Sequence, residues 1–202
     1  MRKAPAESRG FLLRGFDQTR GSVSVLVRPS IAADIPGIAA IYGHAVLYGA
    51  ASFEIDQPSV AEMTRRRDAI LAGGYPYLVA ERAGAVAGYA YAAAYRTRPA
   101  YRFTVEDSVY VAPEAQGKGV GQALLAALIQ ACEARDFRLM VAVIGDRASL
   151  GSIRLHEKLG FVPVGVLEPV GYKHGRWLAS VLMQRPLGPG GSLPPADQPA
   201  EA

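Results

Sequence analysis

The passage from Val109 to Ile129 constrains this chain most. A β-branched and aromatic run, Val109-Tyr110-Val111, gives way to a glycine-rich turn and then to apolar residues at helical spacing. This reads as strand, turn, helix. The first turn of a helix carries backbone N–H groups without intrahelical partners, and the helix dipole adds partial positive charge there, so the junction suits an anion. Gly117, Gly119 and Gly121 keep side chains off the backbone so that a pyrophosphate can approach it, and Lys118 adds charge from the rim. On the glycines alone, a plain glycine-rich turn before a helix accounts for the pattern equally well.

Two other phosphate loops fit poorly. A Walker A loop needs Ser or Thr after Gly-Lys, and here Gly119 follows Lys118. A dinucleotide fingerprint needs G-x-G-x-x-G, and Gln122 stands where the last glycine belongs.

The length of 202 residues, half of them apolar and a fifth charged, fits one soluble α/β domain with ends to spare. The net charge of +4 is modest and its basic residues are scattered outside Arg65-Arg66-Arg67 and the stretch from Arg96 to Arg102, so nucleic-acid binding is not implied. The single cysteine, Cys132, excludes an intramolecular disulfide, fits a reducing cytoplasm and shares an apolar helix face with Leu125 and Leu128, as a core residue would. No run reaches the roughly 18 apolar residues of a membrane span. The first residues lack the apolar core of a signal peptide, and a cytoplasmic location is expected.

Residues 1–22 read as a disordered extension, 23–186 as the folded domain, and 187–202, rich in Gly, Pro and Ala, as a disordered tail. Val23 to Arg28 alternates as a first strand. Asp34 with Pro36 opens a helix through Val46, and Ser59 caps a second to about Leu71. Arg65, Arg66 and Arg67 on that helix read as a solvated face. Tyr77 to Glu81 and Val86 to Tyr95 form a hairpin, followed by a Tyr- and Arg-rich loop, Tyr95 to Phe103. Such a loop either binds carboxylates or phosphates through bidentate guanidinium contacts or is pinned to acidic neighbours.

Thr104 to Val111 is the strand that feeds the glycine turn. It carries Glu106 and Asp107 among valines, and desolvation there would raise a carboxyl pKa toward the range of a general base. Alternation puts the two on opposite faces, so only one is expected to face a shared cleft. Helix 117–132 covers one face of the sheet, and Phe137 to Ile144 reads as an internal strand covered on both sides. Ser149 or Ser152 is placed to cap the helix that runs through His156 to Gly160, and Phe161 to Leu167 and Trp177 to Arg185 complete the sheet.

Gln116-Gly117-Lys118-Gly119-Val120-Gly121 resembles motif A of the Gcn5-related N-acetyltransferases (GNAT), Gln/Arg-x-x-Gly-x-Gly/Ala, and Leu155-His156-Glu157-Lys158-Leu159-Gly160-Phe161 resembles motif B. The order β-α-α-β-β-β-α-β-α-β-β is that of the family. Within it, the chain is similar to the phosphinothricin and methionine sulfoximine acetyltransferase branch. The similarity is carried by Ser52-Phe53-Glu54, Arg96 to Arg102, Thr104 to Val111, Val141 to Gly145 and Gly171-Tyr172-Lys173-His174-Gly175-Arg176-Trp177. The resemblance implies an α/β (α+β) GNAT acyltransferase fold, a central mixed, mostly antiparallel sheet flanked by helices.

It also implies transfer of acetyl from acetyl-coenzyme A to the α-amino group of a small amino-acid analogue, by direct attack and without a metal. Glu106 matches the family's proposed general base, which the reaction needs because an α-ammonium has no lone pair until a proton leaves. Backbone N–H groups near Val109, Tyr110 and Val111 would stabilise the oxyanion. Coenzyme A falls to those three residues and to Gln116, Gly117, Lys118, Gly119, Val120, Gly121 and Gln122. His156 stands where many relatives carry a tyrosine, with acid, cofactor-ligand and packing roles all open. Ser149 replaces the usual Asn of the loop before motif B. Phe53, Glu54, Arg98, Tyr101, Arg102 and Thr104 are the substrate candidates. Relatives of this kind are often dimers, and Tyr42, Tyr48 and Tyr75 are compatible with an interface for a homodimer. A peptide or protein N-terminal acetyltransferase, or a non-catalytic acetyl-coenzyme A-binding module, are the competing readings.

Overall fold

The computed structural model describes residues 24–195. Its elements are β1 (Leu26–Pro29), α1 (Ile35–Tyr48), α2 (Val60–Ala72), β2 (Tyr77–Arg82), β3 (Ala85–Ala94), β4 (Thr104–Val111), α3 (Val120–Glu133), β5 (Leu139–Gly145), α4 (Leu150–Lys158), β6 (Val162–Lys173) and β7 (Arg176–Pro186). The strands form one mixed sheet in the order β1-β2-β3-β4-β5-β7-β6, in which only β4 and β5 run parallel.

The alternation Gly88-Tyr89-Ala90-Tyr91-Ala92 on β3 explains how the sheet is covered. Successive side chains point to opposite faces. The small residues let α3 settle close, and a Cβ on Gly88 would sit 3.0 Å from both Leu124 Cδ1 and Val120 Cγ1. On the other face Tyr77, Tyr89, Tyr91 and Tyr110 stack at centroid separations of 5.1–6.3 Å, and Tyr42 of α1 meets Tyr110 edge-on. Val120, Leu124, Leu125 and Leu128 of α3 are fully buried beside Cys132, whose thiol is pushed up to about 12 by burial.

Several boundaries differ from the sequence reading. Val23 lies outside the described residues, and the first strand begins at Leu26. Asp34 makes no side-chain cap; its carboxylate accepts instead from the Ile31 N–H and from Arg28. Ser59 does cap α2, accepting from the Glu62 N–H. Of the three arginines on α2, Arg66 pairs with Glu54 and Arg67 donates to Ser30, so only Arg65 is left on the solvated face. Neither Ser149 nor Ser152 caps α4: Ser149 precedes the helix but donates to the Gly145 carbonyl, and Ser152 lies within it.

Strand β5 is internal, yet Val143 is 40% exposed, so only its Met140-Ala142-Ile144 face is fully covered. The last two strands form a longer hairpin than expected, turning at His174-Gly175, where both residues have positive φ. Beyond Pro186, Leu187 is fully buried, its N–H bonded to the Arg138 carbonyl, so the packed core reaches past that proline. Of the tyrosines considered for an interface, Tyr42 packs inward and Tyr75 is partly buried, stacked on Phe137 at 5.6 Å, while Tyr48 is 74% exposed. No helix among the described residues is long and apolar enough to cross a membrane.

Candidate active site

The site is a split in the sheet. Strands β4 and β5 pair over Thr104–Asp107 and Leu139–Ala142, and then part; Ser108–Val111 and Val143–Gly145 have no partner in each other. On its far side β4 stays bonded to β3. Ala112 N–H donates to Ala87, so the alternation of an antiparallel ladder turns the N–H groups of Tyr110 and Ser108 toward β3 and those of Val109 and Val111 into the split. Unpaired backbone donors of this kind need a partner, and a ligand can supply it.

A cavity of about 280 Å³ occupies the split. Its walls come from both faces of the sheet: Tyr91, Glu106, Ser108 and Tyr110 on the α1 side, and Asp107, Val109, Ala142 and His156 on the α3–α4 side. Glu106 and Asp107 therefore both line one cavity, although they alternate as expected, because the opening passes through the sheet. Burial, and after it the neighbouring Asp107 carboxylate, push the Glu106 carboxyl above its ordinary value, with Arg96 opposing.

The glycine turn follows β4 and lies outside the residues that line the cavity, with Gly121 beside Val111 of that strand. Gly119 takes a left-handed conformation (φ 81°) as the residue before α3, and Gly117 is left-handed too (φ 70°); a side chain on either would meet open space. The first intrahelical bond runs from the Ala123 N–H to the Gly119 carbonyl, so the N–H groups of Val120, Gly121 and Gln122 have no intrahelical acceptor. Gly121 serves differently: a Cβ there would lie 3.2 Å from Leu155 Cδ2 and 3.5 Å from Val111 Cγ2, which sets how closely α3, α4 and β4 pack. Lys118 Nζ donates to the Glu114 carbonyl and Lys158 Nζ to the Gln122 side chain. Gln116 is exposed at the turn. Ser149 lines the cavity with its hydroxyl proton committed to Gly145.

The segment Ala50-Ala51-Ser52-Phe53 forms a wall of the cavity. The Ser52 hydroxyl is 2.9 Å from the Tyr42 hydroxyl, and the Ser52 carbonyl accepts from buried Lys173 at 2.7 Å. Burial pulls the Lys173 ammonium below its ordinary pKa, with Glu54 opposing. The Phe53 ring packs over Gly171, where a Cβ would lie 3.2 Å away.

The substrate candidates are dispersed. Phe53 lines the cavity; Glu54 does not, being bonded to Tyr42 and Arg66. Arg98 and Tyr101 line a separate depression with Arg96 and Thr97. Arg102 lies over the Phe103 ring, and Thr104 opens β4. Three participants were missed in the sequence: Asp107 as the partner of His156, Lys173 as the anchor of the 50–53 wall, and Tyr91 in the cavity. The polar Asp107 on the valine face of β4 and His156 among the apolar positions of α4 were the available signals for the first. Among the described residues no group of three or more His, Cys, Asp or Glu could hold a metal.

A match to the family described as "Acetyltransferase (GNAT) family" spans residues 45–161. The chain is 53% identical to a phosphinothricin N-acetyltransferase of Alcaligenes faecalis, over 80% of this chain and 82% of that protein. It is 42% identical to an L-methionine sulfoximine/L-methionine sulfone acetyltransferase of Pseudomonas paraeruginosa, over 85% of this chain and all of that one. The crystal structure of a GNAT superfamily phosphinothricin acetyltransferase from Sinorhizobium meliloti in complex with AcCoA superposes with a TM-score of 0.83 at 50% identity, covering 86% of this chain and 94% of that one. The chain belongs to the GNAT acetyltransferase family.

Proposed function

We propose that this protein transfers the acetyl group of acetyl-coenzyme A to the α-amino group of a small amino-acid analogue of the phosphinothricin, methionine sulfoximine or methionine sulfone type. As a family member it is an N-acetyltransferase that draws on acetyl-coenzyme A. The observation that carries the finer reading is the placement of Glu106, its pKa raised by burial, in a cavity that Val109 also lines, with the Val109 and Val111 N–H groups turned into the split. The relatives named for these substrates supply the acceptor class.

The residues fit the cofactor. The open glycines 117 and 119 and the free N–H groups at the start of α3 suit a pyrophosphate, and the split suits a narrow arm hydrogen-bonded to strand β4. Bound there, acetyl-coenzyme A supplies an activated thioester. Glu106 would take the proton from the acceptor's ammonium and expose its lone pair, and the Val109 and Val111 N–H groups would polarise the acetyl carbonyl. The 50–53 wall, with Phe53 and Tyr91, would shape the acceptor pocket.

Release of free coenzyme A tests this, with phosphinothricin, methionine sulfoximine, methionine sulfone and a short peptide as acceptors. Turnover on an amino-acid analogue that falls at least about tenfold in Glu106→Gln supports the reading. Turnover on the peptide alone replaces it with an N-terminal acetyltransferase, and cofactor binding without turnover on any amine with a binding module. Bacteria expressing an active enzyme should tolerate phosphinothricin. The edge strand β6 exposes Val162, Val164, Val166 and Leu167, an apolar edge that a second copy would cover, and sedimentation measures that homodimer.

A further inference from the structure

The directions of the hydrogen bonds around Ser52 follow from the acceptors they meet. Glu54, whose carboxylate faces the Arg66 guanidinium at 2.6 Å, accepts from the Tyr42 hydroxyl at 2.9 Å. A phenol has one proton, so in the 2.9 Å contact between the Tyr42 and Ser52 hydroxyls Ser52 is the donor. The Glu54 N–H donates to Ser52 Oγ at 3.2 Å. Ser52 is left with no proton to give and one lone pair unused. Tyr110, edge-on to Tyr42 with ring centroids 5.0 Å apart, also bonds to the Tyr42 hydroxyl, and because the Tyr42 proton lies on Glu54, Tyr110 donates as well.

We propose that the hydroxyl oxygens of Ser52 and Tyr110 seat the ammonium group of the acceptor, and that Tyr42 is a positioning residue that keeps both of their protons turned away from it. An ammonium brings only donors, which two oxygens with committed protons can accept, whereas a group that brings lone pairs is left facing lone pairs. That the seated amine is the group to be acetylated rests on the acetyl-transfer reading; the directions of the hydrogen bonds do not.

The surroundings agree. Ser52 and Tyr110 both line the cavity, whereas Tyr42 and its acceptor Glu54 do not. Two oxygens bonded to one common atom lie within about 6 Å of each other, a span that one ammonium can bridge. Ser52 is also fixed from behind, because its carbonyl accepts from Lys173 at 2.7 Å. Glu106, Ser108 and Tyr110 share one face of β4 by alternation, so the proposed base stands on the same side as the seat. Among the described residues that line the cavity there is no lysine or arginine, while Glu106 and Asp107 bring carboxyl groups, a balance that favours a cation.

The test compares two ligands that differ only in the amino group, methionine sulfone and 4-(methylsulfonyl)butanoic acid, binding by calorimetry to the full chain saturated with coenzyme A. In the wild type methionine sulfone should bind at least about tenfold tighter, as a hydrogen-bonded charge does. Equal affinities, or binding of neither ligand, overturn the proposal. In Ser52→Ala and in Tyr110→Phe the ratio of the two affinities should fall at least about threefold. A displaced wall weakens both ligands together and leaves the ratio as it was, so an unchanged ratio in either variant removes that oxygen from the seat. In Tyr42→Phe both oxygens remain but their protons are released toward the cavity, and the ratio should fall there too, although Tyr42 does not line the cavity. An unchanged ratio in that variant removes its positioning role. A ratio that responds in this way, with no coenzyme A released from acetyl-coenzyme A on any amine, supports the seat and overturns the acetyl-transfer reading. Should a tyrosine variant not fold, the wild-type ratio and Ser52→Ala still decide.

Discussion

Gly145 ends β5 against the 50–53 wall, with no room for a side chain. A Cβ there would lie 1.9 Å from the Ala50 carbonyl oxygen and 3.0 Å from its carbonyl carbon. Strand β5 cannot yield, because it is paired with β7 through Gly145 and Ser180. In Gly145→Ala the wall must therefore withdraw by roughly 1 Å to restore a tolerable contact. It does so against the Lys173–Ser52 and Tyr42–Ser52 hydrogen bonds and the seat of Phe53 on Gly171. Overpacking of this kind costs about 1–3 kcal/mol of stability. A displacement of about 1 Å at a positioning element can cost on the order of 100-fold in rate. The expected result is a fall of about 10- to 100-fold in kcat/KM for the amino-acid acceptor, with acetyl-coenzyme A affinity, measured by calorimetry, within about threefold of wild type. Gly151→Ala is the control, since its Cβ meets nothing within 4 Å. If Gly145→Ala kept kcat/KM within about twofold of that control, the reasoning that this wall positions the acceptor would be refuted.

Leu187→Ala should cost about 2–5 kcal/mol, as buried Leu→Ala changes do, and lower the calorimetric Tm by several degrees; a change under about 1 kcal/mol would mean that Leu187 is not core. Gly119→Ala forces a left-handed alanine and should weaken acetyl-coenzyme A binding measured by calorimetry while costing about 1 kcal/mol in denaturant unfolding. Because burial raises the Glu106 pKa, a base there becomes active only as pH rises through a value above that of a free glutamate; the ascending limb of kcat/KM should lie correspondingly high and vanish in Glu106→Gln. The His156 pKa is raised in the fold, so its pairing with Asp107 stabilises fully below the ordinary histidine value and is lost as pH climbs through the raised one. The Tm advantage of wild type over Asp107→Asn should accordingly shrink with increasing pH across that window.

The order of elements and the open glycine turn before α3 were legible because each rests on local pattern: valine runs, helical spacing on α3, and glycines before it. The pairing partners were not. Nothing adjacent in sequence ties Asp107 to His156, 49 residues away, or Lys173 to Ser52, 121 residues away. The expectation that only one of Glu106 and Asp107 would face a cleft followed from alternation, which holds in the structure; it misled because the cleft is a gap between strands and not a pocket on one face. Gly121 looked like Gly117 and Gly119 in the sequence, but only the latter two have the left-handed backbone that demands glycine. Leu187 was lost in a Gly- and Pro-rich context whose composition concealed one buried side chain.

The two sides of the split are built in opposite ways. On the α3 side, on the proposed activity, recognition would fall to the backbone N–H groups of Val120, Gly121 and Gln122 in the first helical turn, with open space beside Gly117 and Gly119, so the nature of nearby side chains matters little there. On the α1 side, the wall is wedged between Gly145 and Gly171 and tied by Tyr42 and Lys173, and the cavity is lined by the side chains of Phe53 and Tyr91. A backbone-read site is hard to alter by substitution, whereas a side-chain-lined pocket changes shape with each one. On the proposed activity, the acceptor could therefore be redirected at Phe53 without disturbing the cofactor side. The reverse route is narrower, because the N–H groups of Val109 and Val111 that would serve the cofactor belong to the same strand that carries Glu106.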